Sequence, residues 1–270
     1  MNLNIYTEEM AKSVWDKAFF MDKVPGTKCI VDFGCADGAM IRFLAPLFPS
    51  IQFFGYDSNA ELIEMGREKN EYENVSFWHK YEFYKMIEQI KAQYTKDEIT
   101  INFSSVLHEV FSETEPDSIK VVKRIVEELC PKFITIRDMY WDAGVGANVL
   151  RIEEPNIVAK VDPDLLKQYE EKYGHLYTGA KEITHFLMKY MWAKNDWEKE
   201  LEENYYSWHI IQLLDIVDDT SYNVYNKRRC YDVIFKNHYQ LPYLTERWQK
   251  EYGFYNIAAG THAQFILRRM

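Results

Sequence analysis

The sequence predicts an α/β fold in which a doubly wound, mostly parallel sheet of seven strands is covered by helices on both faces. Short apolar runs typical of buried strands alternate with amphipathic segments along residues 28–141. This alternation is typical of parallel strands that are joined by crossover helices. The chain, at 270 residues, is also long enough for one large domain with an additional segment.

The predicted elements follow one another at short intervals. The predicted strands are CIVDFG (29–34), IQFFGYD (51–57), NVSFWH (74–79), ITINFS (99–104), KFITIRDMYW (132–141), TSYNVYNKR (220–228) and HAQFILRR (262–269). The predicted helices cover residues 8–22, 39–48, 59–70, 81–94, 117–130, 207–217 and 241–253. Ser58 or Asn59 is expected to cap the third of these helices, because both side chains accept hydrogen bonds from a first helical turn.

The alternation stops between residues 142 and 206, where the pattern is helical. Asp162 and Pro163 are typical of a helix start, and Gly174 is typical of its end. A longer helix is predicted next, with an apolar stripe from Ile183 to Leu201. We therefore predict an α-helical insertion after strand five, with residues 142–206 as a cap over the substrate. Residues 1–141 and 207–270 form the main domain, which begins with a helical segment over residues 1–27.

Charge and cysteine usage exclude several classes of protein. The chain has 32 basic and 42 acidic residues, a net charge of −10, which argues against broad electrostatic binding of nucleic acid or of an anionic membrane. The four cysteines form no CxxC pair, and the amino terminus lacks a basic region followed by an apolar run. No apolar run reaches the roughly 20 residues of a membrane helix. We expect a reduced, cytoplasmic protein.

The turn after the first strand, DFGCADG (32–38), allows two interpretations, because this turn is the usual ligand cradle of an open α/β sheet. A dinucleotide site needs a glycine where Ala36 stands, and it would place Asp32 and Asp37 beside an anionic pyrophosphate. A cationic ligand reverses the sign of that interaction. The ammonium and sulfonium of S-adenosylmethionine are favoured by Asp32, while the backbone at Gly34 and Gly38 packs against the ligand.

The second predicted strand ends at Asp57, nineteen positions after Gly38. A carboxylate at this distance accepts both hydroxyls of an adenosine ribose. Asp57 therefore predicts an adenosine-containing ligand, and only the combination with DFGCADG separates S-adenosylmethionine from a nicotinamide dinucleotide.

Three segments together resemble the class I S-adenosylmethionine-dependent methyltransferases, which have a Rossmann-like sheet. IVDFGCADG is similar to their first motif, FFGYDSN to their acidic second motif, and NFSSVLHEV to the segment after strand four that lines the cofactor and substrate pockets. The resemblance covers residues 28–141 and the closing strands. It implies S-adenosylmethionine as the cofactor, with Asp32, Gly34, Cys35, Ala36, Asp37, Gly38, Asp57, Ser58, His79 and Ser104 as the residues that bind it.

The sequence departs from that family after strand three. The family often has an acidic residue there that meets the adenine amino group, whereas this chain has Tyr81, with His79 and Glu82 nearby. His79 is the residue that we assign to this side of the cofactor.

The resemblance implies methyl transfer, and two sets of residues are candidates for its chemistry. His108 and Glu109, at the exit of strand four, are candidate bases because histidine titrates near neutral pH. The alternative for His108 is a histidine that packs against the cofactor or caps the loop. Tyr140, Trp141 and Tyr206 are candidates for binding the acceptor, and the alternative for such aromatic residues is helix core.

No metal is predicted, since HExxH and spaced histidine or cysteine pairs are absent from the sequence. The leading prediction is a methyltransferase that acts on a small molecule. The alternatives are a methyltransferase that acts on nucleic acid or protein, and an inactive S-adenosylmethionine-binding interaction protein. A nicotinamide oxidoreductase is disfavoured by Ala36 and the two acidic residues of the turn.

Overall fold

The structure is a computed structural model that describes residues 13–112, 116–142, 158–176, 180–218, 230–252 and 260–270. Its strands are β1 (Cys29–Phe33), β2 (Gln52–Asp57), β3 (Val75–His79), β4 (Ile99–Ser104), β5 (Phe133–Met139), β6 (Tyr231–Tyr239) and β7 (His262–Arg269). Its helices are α1 (Val14–Lys17), α2 (Ala39–Leu44), α3 (Ala60–Lys69), α4 (Phe83–Gln93), α5 (Leu107–Val110), α6 (Pro116–Leu129), α7 (Pro163–Tyr173), α8 (Ala180–Tyr190), α9 (Ala193–Glu202), α10 (Ile210–Val217) and α11 (Pro242–Tyr252).

The chain forms two compact units. The sheet unit consists of Met1–Asp138, Trp208–Lys236 and Gln264–Met270. The helical unit consists of Met139–Ser207 and Asn237–Ala263.

The seven strands form one sheet in the order β3-β2-β1-β4-β5-β7-β6. The pairs within β3-β2-β1-β4-β5 are all parallel, which confirms the prediction of a mostly parallel, seven-stranded sheet. The strand order reverses between β1 and β4, and ligands of open α/β sheets bind outside the carboxyl ends of the strands at such a reversal.

The β7 end of the sheet is antiparallel, a detail that the sequence did not predict. Backbone hydrogen bonds from Arg269 to Lys132 (2.9 Å) and from Tyr140 to Thr261 (3.2 Å) join opposite ends of β5 and β7. The bond from Thr261 to Tyr239 (3.0 Å) likewise joins the start of β7 to the end of β6.

Central strands are buried along their whole length, as expected for parallel strands that are covered on both faces. Every residue of β1 and of β4 is buried. Apolar side chains from the helices and strands of the sheet unit form a core that includes Phe20, Ile30, Ile41, Leu44, Phe53, Ile63, Phe77, Phe133 and Ile266. This packing fixes the carboxyl ends of β1, β2 and β4, where the predicted ligand residues lie.

Both predicted helix caps are present. Asn59, and not Ser58, caps α3, because its side chain accepts hydrogen bonds from the backbone of Glu61 (3.0 Å) and Leu62 (3.3 Å). Asp162 caps α7 in the same way. Such caps satisfy backbone N–H groups that have no partner within the helix.

Three predicted elements differ from the structure. The first helix, predicted to continue to residue 22, ends at Lys17. The single long helix predicted after α7 is two helices, α8 and α9. Strand β6 lies over Tyr231–Tyr239, which was not predicted as a strand. The strand predicted over residues 220–228 lies outside the described residues.

The helical unit has its own hydrophobic core. It is formed by residues from α7, α8, α9, α11 and their connections, including Leu166, Tyr169, Ile183, Phe186, Leu187, Trp197, Leu244 and Trp248. Residues 143–157 and 177–179 lie outside the described residues, so the insertion over residues 142–206 stays a prediction. No helix within the described part of the chain is long and apolar enough to cross a membrane.

Candidate functional site

The turn between β1 and α2 has left-handed backbone at three positions. Gly34 (φ +77°), Ala36 (φ +51°) and Gly38 (φ +75°) all have positive φ, and a non-glycine residue such as Ala36 adopts this conformation at an energetic cost. A Cβ atom on Gly34 would lie 2.5 Å from Val106 Cγ2. A Cβ atom on Gly38 would overlap the Phe77 ring. Close packing therefore requires glycine at both position 34 and position 38.

Asp57, at the end of β2, holds this turn. Its Oδ2 accepts a hydrogen bond from the Ala36 amide at 2.9 Å, and its Oδ1 accepts one from the Asn59 amide at 2.8 Å. Burial raises the pKa of Asp57, although these backbone hydrogen bonds oppose the shift. Each carboxylate oxygen has a further lone pair, so Asp57 still has capacity to accept hydrogen bonds from a ligand.

Asp37 has a different environment from the one that the sequence suggested. Its Oδ2 lies 2.8 Å from Lys69 Nζ and 3.3 Å from an Arg42 guanidinium nitrogen. Burial acts to raise the pKa of Asp37, but the Lys69 and Arg42 interactions lower it below its ordinary value. The negative charge of Asp37 is therefore balanced by two cations, and Asp32 is the carboxylate that gives the turn its charge.

Asp32 is positioned by a chain of hydrogen bonds across three adjacent strands. Thr135 Oγ1 donates to Asn102 Oδ1, and Asn102 Nδ2 donates to Asp32 Oδ1, each at 2.8 Å. The strand register places these residues side by side on β5, β4 and β1. Burial raises the pKa of Asp32 to about 6, against the effects of Asn102 and Lys17. Asp32 is thus a buried carboxylate that is ionised at neutral pH.

A small cleft opens at the carboxyl ends of β1 and β4. Its lining residues, all in the sheet unit, are Val14, Lys17, Asp32, Gly34, Cys35, Ala36, Asp37, Ala39, Met40 and Ser104. Among the described residues, no hydrogen-bond partner is found for the buried Ser104 Oγ. Buried hydroxyl groups normally have a partner, so Ser104 Oγ is a candidate for a hydrogen bond to a group in this cleft.

Lys17 lines the same cleft, although the sequence did not single it out. The side chain is buried, and burial is the main cause that lowers the pKa of Lys17 to about 8. Lys17 follows the buried Val14 by three residues and so lies on the apolar face of α1. Lysine is unusual on such a face, and this spacing could have identified Lys17 from the sequence. Cys35 also lines the cleft, and burial raises the pKa of its thiol.

The residues predicted on the adenosine side lie at the ends of β2 and β3. His79 Nε2 lies 2.9 Å from the Ser58 carbonyl oxygen, which connects the two segments. The exposed Tyr81 ring contacts the His79 ring at a centroid distance of 4.9 Å. His79 and Ser58 are therefore brought together, and the parallel register pairs His79 with Asp57.

The exit of β4 carries a buried pair formed by His108 and Asp138. His108 Nδ1 lies 2.8 Å from Asp138 Oδ1, and the His108 amide donates to Asp138 Oδ2 at 3.1 Å. An ionised carboxylate only accepts hydrogen bonds, so His108 Nδ1 donates to Asp138, and Nε2 is the ring nitrogen outside this hydrogen bond. Glu109 is exposed, and its Oε1 lies 4.0 Å from His108 Nε2. The sequence suggested His108 as a base but did not pair it with Asp138.

The backbone before His108 is strained. Ser105 has φ +56°, a conformation that serine rarely adopts. Arg137 holds it in place, since the Ser105 amide donates to the Arg137 carbonyl at 2.7 Å and an Arg137 guanidinium nitrogen donates to Ser105 Oγ at 2.6 Å. Strain of this kind concentrates at functional sites.

The predicted acceptor-binding residues belong to the helical unit. The rings of Trp141 and Tyr206 lie 5.8 Å apart, and Tyr206 also lies 5.1 Å from the ring of the buried His185. Tyr140 is buried and lies 5.2 Å from the His238 ring. The structure therefore brings Trp141 and Tyr206 together and places Tyr140 in another contact.

No family model matches the sequence, and no curated protein matches it. Solved structures do resemble the fold. An S-adenosylmethionine-dependent methyltransferase from Anabaena variabilis is 13% identical, with a TM-score of 0.51 over 95% of this chain and 83% of that one. TnmH is 11% identical, with a TM-score of 0.51 over 98% of this chain, which spans 57% of TnmH. The strand order and these similarities show that the chain has the fold of the class I S-adenosylmethionine-dependent methyltransferases.

Proposed function

We propose that the protein is a methyltransferase that uses S-adenosylmethionine. The observation that carries this proposal is the cleft at the carboxyl ends of β1 and β4. The buried carboxylate of Asp32 lies on one strand, and the hydroxyl of Ser104, for which the described part of the chain offers no hydrogen-bond partner, lies on the other. Its position is the one where open α/β sheets bind ligands.

The residues of the cleft fit this cofactor better than a dinucleotide. Asp32 favours a cationic ligand and repels phosphate, because a charge acts strongly in a buried site. Ala36 places a methyl group where a dinucleotide site needs glycine. Asp57 and the His79 ring lie at the ends of the next two strands, as expected for residues that bind the ribose and adenine of an adenosine.

When bound, S-adenosylmethionine supplies a methyl group activated by a positively charged sulfur. The protein aligns the acceptor with this methyl group and excludes water, and alignment supplies much of the rate increase in such a displacement. For an acceptor that must lose a proton, His108 Nε2 takes the proton. Asp138 holds the ring in the required orientation and stabilises the imidazolium that forms.

We assign acceptor binding to the helical unit, and we propose that residues 142–206 form the substrate cap. Trp141 and Tyr206 are partly buried beside the core of that unit, with their ring centroids 5.8 Å apart, and His185 Nε2 is buried without a hydrogen-bond partner among the described residues. These groups suit a small planar acceptor with one polar group. The net charge of −10 disfavours nucleic acid as the acceptor.

Calorimetric titration tests the cofactor directly. We expect S-adenosylmethionine and its demethylated product S-adenosylhomocysteine to bind, and NAD not to bind. Binding of NAD alone would contradict the proposal. Binding of S-adenosylhomocysteine, without methyl transfer to any component of metabolite, RNA and protein extracts, would support the inactive interaction protein instead.

The His108–Asp138 pair makes a separate prediction about the chemical step. With an acceptor found by that screen, Asp138→Asn lowers kcat because an amide at position 138 fixes the other tautomer of His108 or leaves it unoriented. The expected loss is on the order of 100-fold, within the usual range for a general base, with unchanged affinity for S-adenosylhomocysteine. Asp117→Asn, the same substitution at an exposed position outside the site, is the matched control. If Asp138→Asn and Asp117→Asn have equal kcat, the pair has no part in proton transfer.

A further inference from the structure

We propose that Lys17 and Ser104 bind the carboxylate of the cofactor's amino-acid end while Asp32 binds its ammonium, so that the cleft selects a zwitterionic ligand. This inference rests on the proposed function. It assigns a role in cofactor choice to Lys17, a residue outside the motifs that identify the fold.

The first step is the charge on Lys17. The side chain is only 7% exposed and lines the cleft. The charged groups that face it are the Arg137 guanidinium and the carboxylates of Asp32, Asp16 and Asp138.

Each of these carboxylates is hydrogen-bonded to another side chain. Asp32 accepts from Asn102 at 2.8 Å, Asp16 accepts from Arg137 at 2.6 Å, and Asp138 pairs with His108 at 2.8 Å. A buried cation is costly unless an anion pairs with it. An anionic ligand group in the cleft would stabilise Lys17.

The second step is Ser104, which lines the same cleft from β4. It is 6% exposed, and its Oγ has no hydrogen-bond partner among the described residues. A hydroxyl donates one hydrogen bond, so Ser104 and Lys17 together offer a donor and a cation. This combination suits a carboxylate oxygen.

The third step is the charge of Asp32 in the same cleft. A phosphate group would meet this carboxylate as well as Lys17, and like charges repel strongly in a buried site. An α-amino acid places an ammonium and a carboxylate on one carbon atom, which matches one anion and one cation in one cleft. The adenosine part of the cofactor has neither group.

The charge on Lys17 also predicts a dependence on pH. Burial, with a contribution from Arg137, lowers the pKa of Lys17 to about 8, while Asp32, Asp16 and Asp138 act to raise it. Above that pH the free protein loses the ammonium, and a ligand carboxylate must bind with uptake of a proton. Affinity for the ligand therefore falls as the pH rises from 7 to 9.

Two ligands separate the amino-acid end from the adenosine. S-adenosylhomocysteine carries both, and 5′-methylthioadenosine carries the same adenosine and thioether without the amino acid. For Lys17→Met, calorimetry is expected to show affinity for S-adenosylhomocysteine weakened by about 10- to 100-fold, the scale of a lost hydrogen bond to a charged group. Affinity for 5′-methylthioadenosine is expected to stay the same.

The control is Lys28→Met, the same substitution at an exposed lysine that pairs with Glu98, and it leaves both affinities unchanged. Lys17→Arg keeps the charge and retains most of the affinity for S-adenosylhomocysteine. The decline of affinity from pH 7 to 9 is expected to be shallower in Lys17→Met than in the wild type. The ligand's own ammonium titrates equally in both proteins, so the difference between the two profiles isolates Lys17.

The outcomes distinguish this inference from the proposed function. If the wild type binds no S-adenosylhomocysteine, the proposed function fails and this inference fails with it. If the wild type binds it and Lys17→Met weakens both ligands equally or neither, only the inference is wrong.

Ser104→Ala provides a second variant should Lys17→Met not fold. It removes a hydroxyl that has no partner among the described residues, so the fold is retained. It is expected to weaken S-adenosylhomocysteine alone by a few-fold, and equal affinities in Ser104→Ala and the wild type would overturn the part of the inference that concerns Ser104.

Discussion

Asp57 is the residue for which a single substitution tests the adenosine side of the site. Its two oxygens accept hydrogen bonds from the Ala36 and Asn59 amides, and the remaining lone pairs face a ligand's ribose in our proposal. Asp57→Ala is expected to weaken S-adenosylhomocysteine binding by about 1.5–3 kcal/mol, the range for hydrogen bonds to a charged group. Calorimetry measures this loss directly.

The effect of Asp57→Ala differs in kind from that of Lys17→Met. Because 5′-methylthioadenosine has the same ribose, Asp57→Ala weakens both ligands by similar factors. Asp117→Ala, at an exposed position of α6, is the control for loss of one negative charge. An affinity in Asp57→Ala equal to that of the control would show that the ribose is held elsewhere.

Single residues also show how far the sequence can predict a site. Asp32 lies in β1, and Gly34 and Gly38 lie in the turn after it, close to where the local spacing put them. That these residues bind the cofactor stays a prediction. The partners of Asp37 were not predictable, since Lys69 lies 32 positions away in the chain. The position of Lys17 in the cleft depends on how α1 packs within the sheet unit, and its spacing from Val14 alone does not predict that packing.

At the scale of elements, the β1–α2 turn depends on Gly38 for two separate reasons. Its φ of +75° is unfavourable for a side chain, and a Cβ there would overlap the Phe77 ring. Gly38→Ala is therefore expected to lower the free energy of unfolding by about 2–4 kcal/mol, from about 1–2 kcal/mol of backbone strain and a similar cost of overpacking. Urea denaturation measures the change.

Gly26→Ala separates the two contributions. Gly26 has a similar φ of +82°, but the nearest atom to a Cβ there is Lys132 Nζ at 3.7 Å, so only the backbone term of about 1–2 kcal/mol is expected. Equal destabilisation by the two substitutions would mean that Phe77 moves aside and that the turn tolerates a side chain.

Elements with a clear period were predicted well, and those without one were not. The strand β7 was predicted with its observed bounds because HAQFILRR is an apolar run between turns. Only Tyr231 of β6 is buried, and apolar and polar residues do not alternate regularly along the strand, so it lacks the pattern that marks a half-buried strand. The apolar stripe continues across the end of α8 at Tyr190 and across a kink inside α9 at Asp196. The Asp196 side chain accepts a hydrogen bond from the Lys199 amide, so neither interruption shows in the apolar spacing.

At the scale of the whole molecule, two hydrophobic cores serve one function in our proposal. All the lining residues of the cleft belong to the sheet unit, whereas the aromatic residues assigned to the acceptor belong to the helical unit. The sequence predicted a sheet domain and a helical insertion, but residues 237–263, which cluster with the helical unit, are distant in the chain. Residues 237–263 are assigned to the helical unit by their contacts in the folded protein, which the sequence pattern does not show.

This division predicts that a core substitution in the helical unit lowers stability without changing cofactor affinity. In the sheet unit, which binds the cofactor, stability and cofactor binding are expected to be coupled. Leu187 is fully buried in the core of the helical unit, and Leu187→Ala is expected to cost about 2–5 kcal/mol of stability there. Affinity for S-adenosylhomocysteine, measured at a temperature where the variant is folded, stays within about twofold of the wild type, a difference of about 0.4 kcal/mol. The KM for the acceptor is expected to rise.

Leu129→Ala is the matched substitution in the sheet unit, where Leu129 is buried in α6. S-adenosylhomocysteine at about 100 times its Kd adds about 2.7 kcal/mol to the unit that binds it, so in scanning calorimetry the ligand offsets much of the destabilisation by Leu129→Ala. The ligand is not expected to offset the destabilisation of the helical unit by Leu187→Ala. If the ligand rescues both variants equally, the two cores unfold as one cooperative system, and the assignment of cofactor and acceptor to separate units loses its thermodynamic basis.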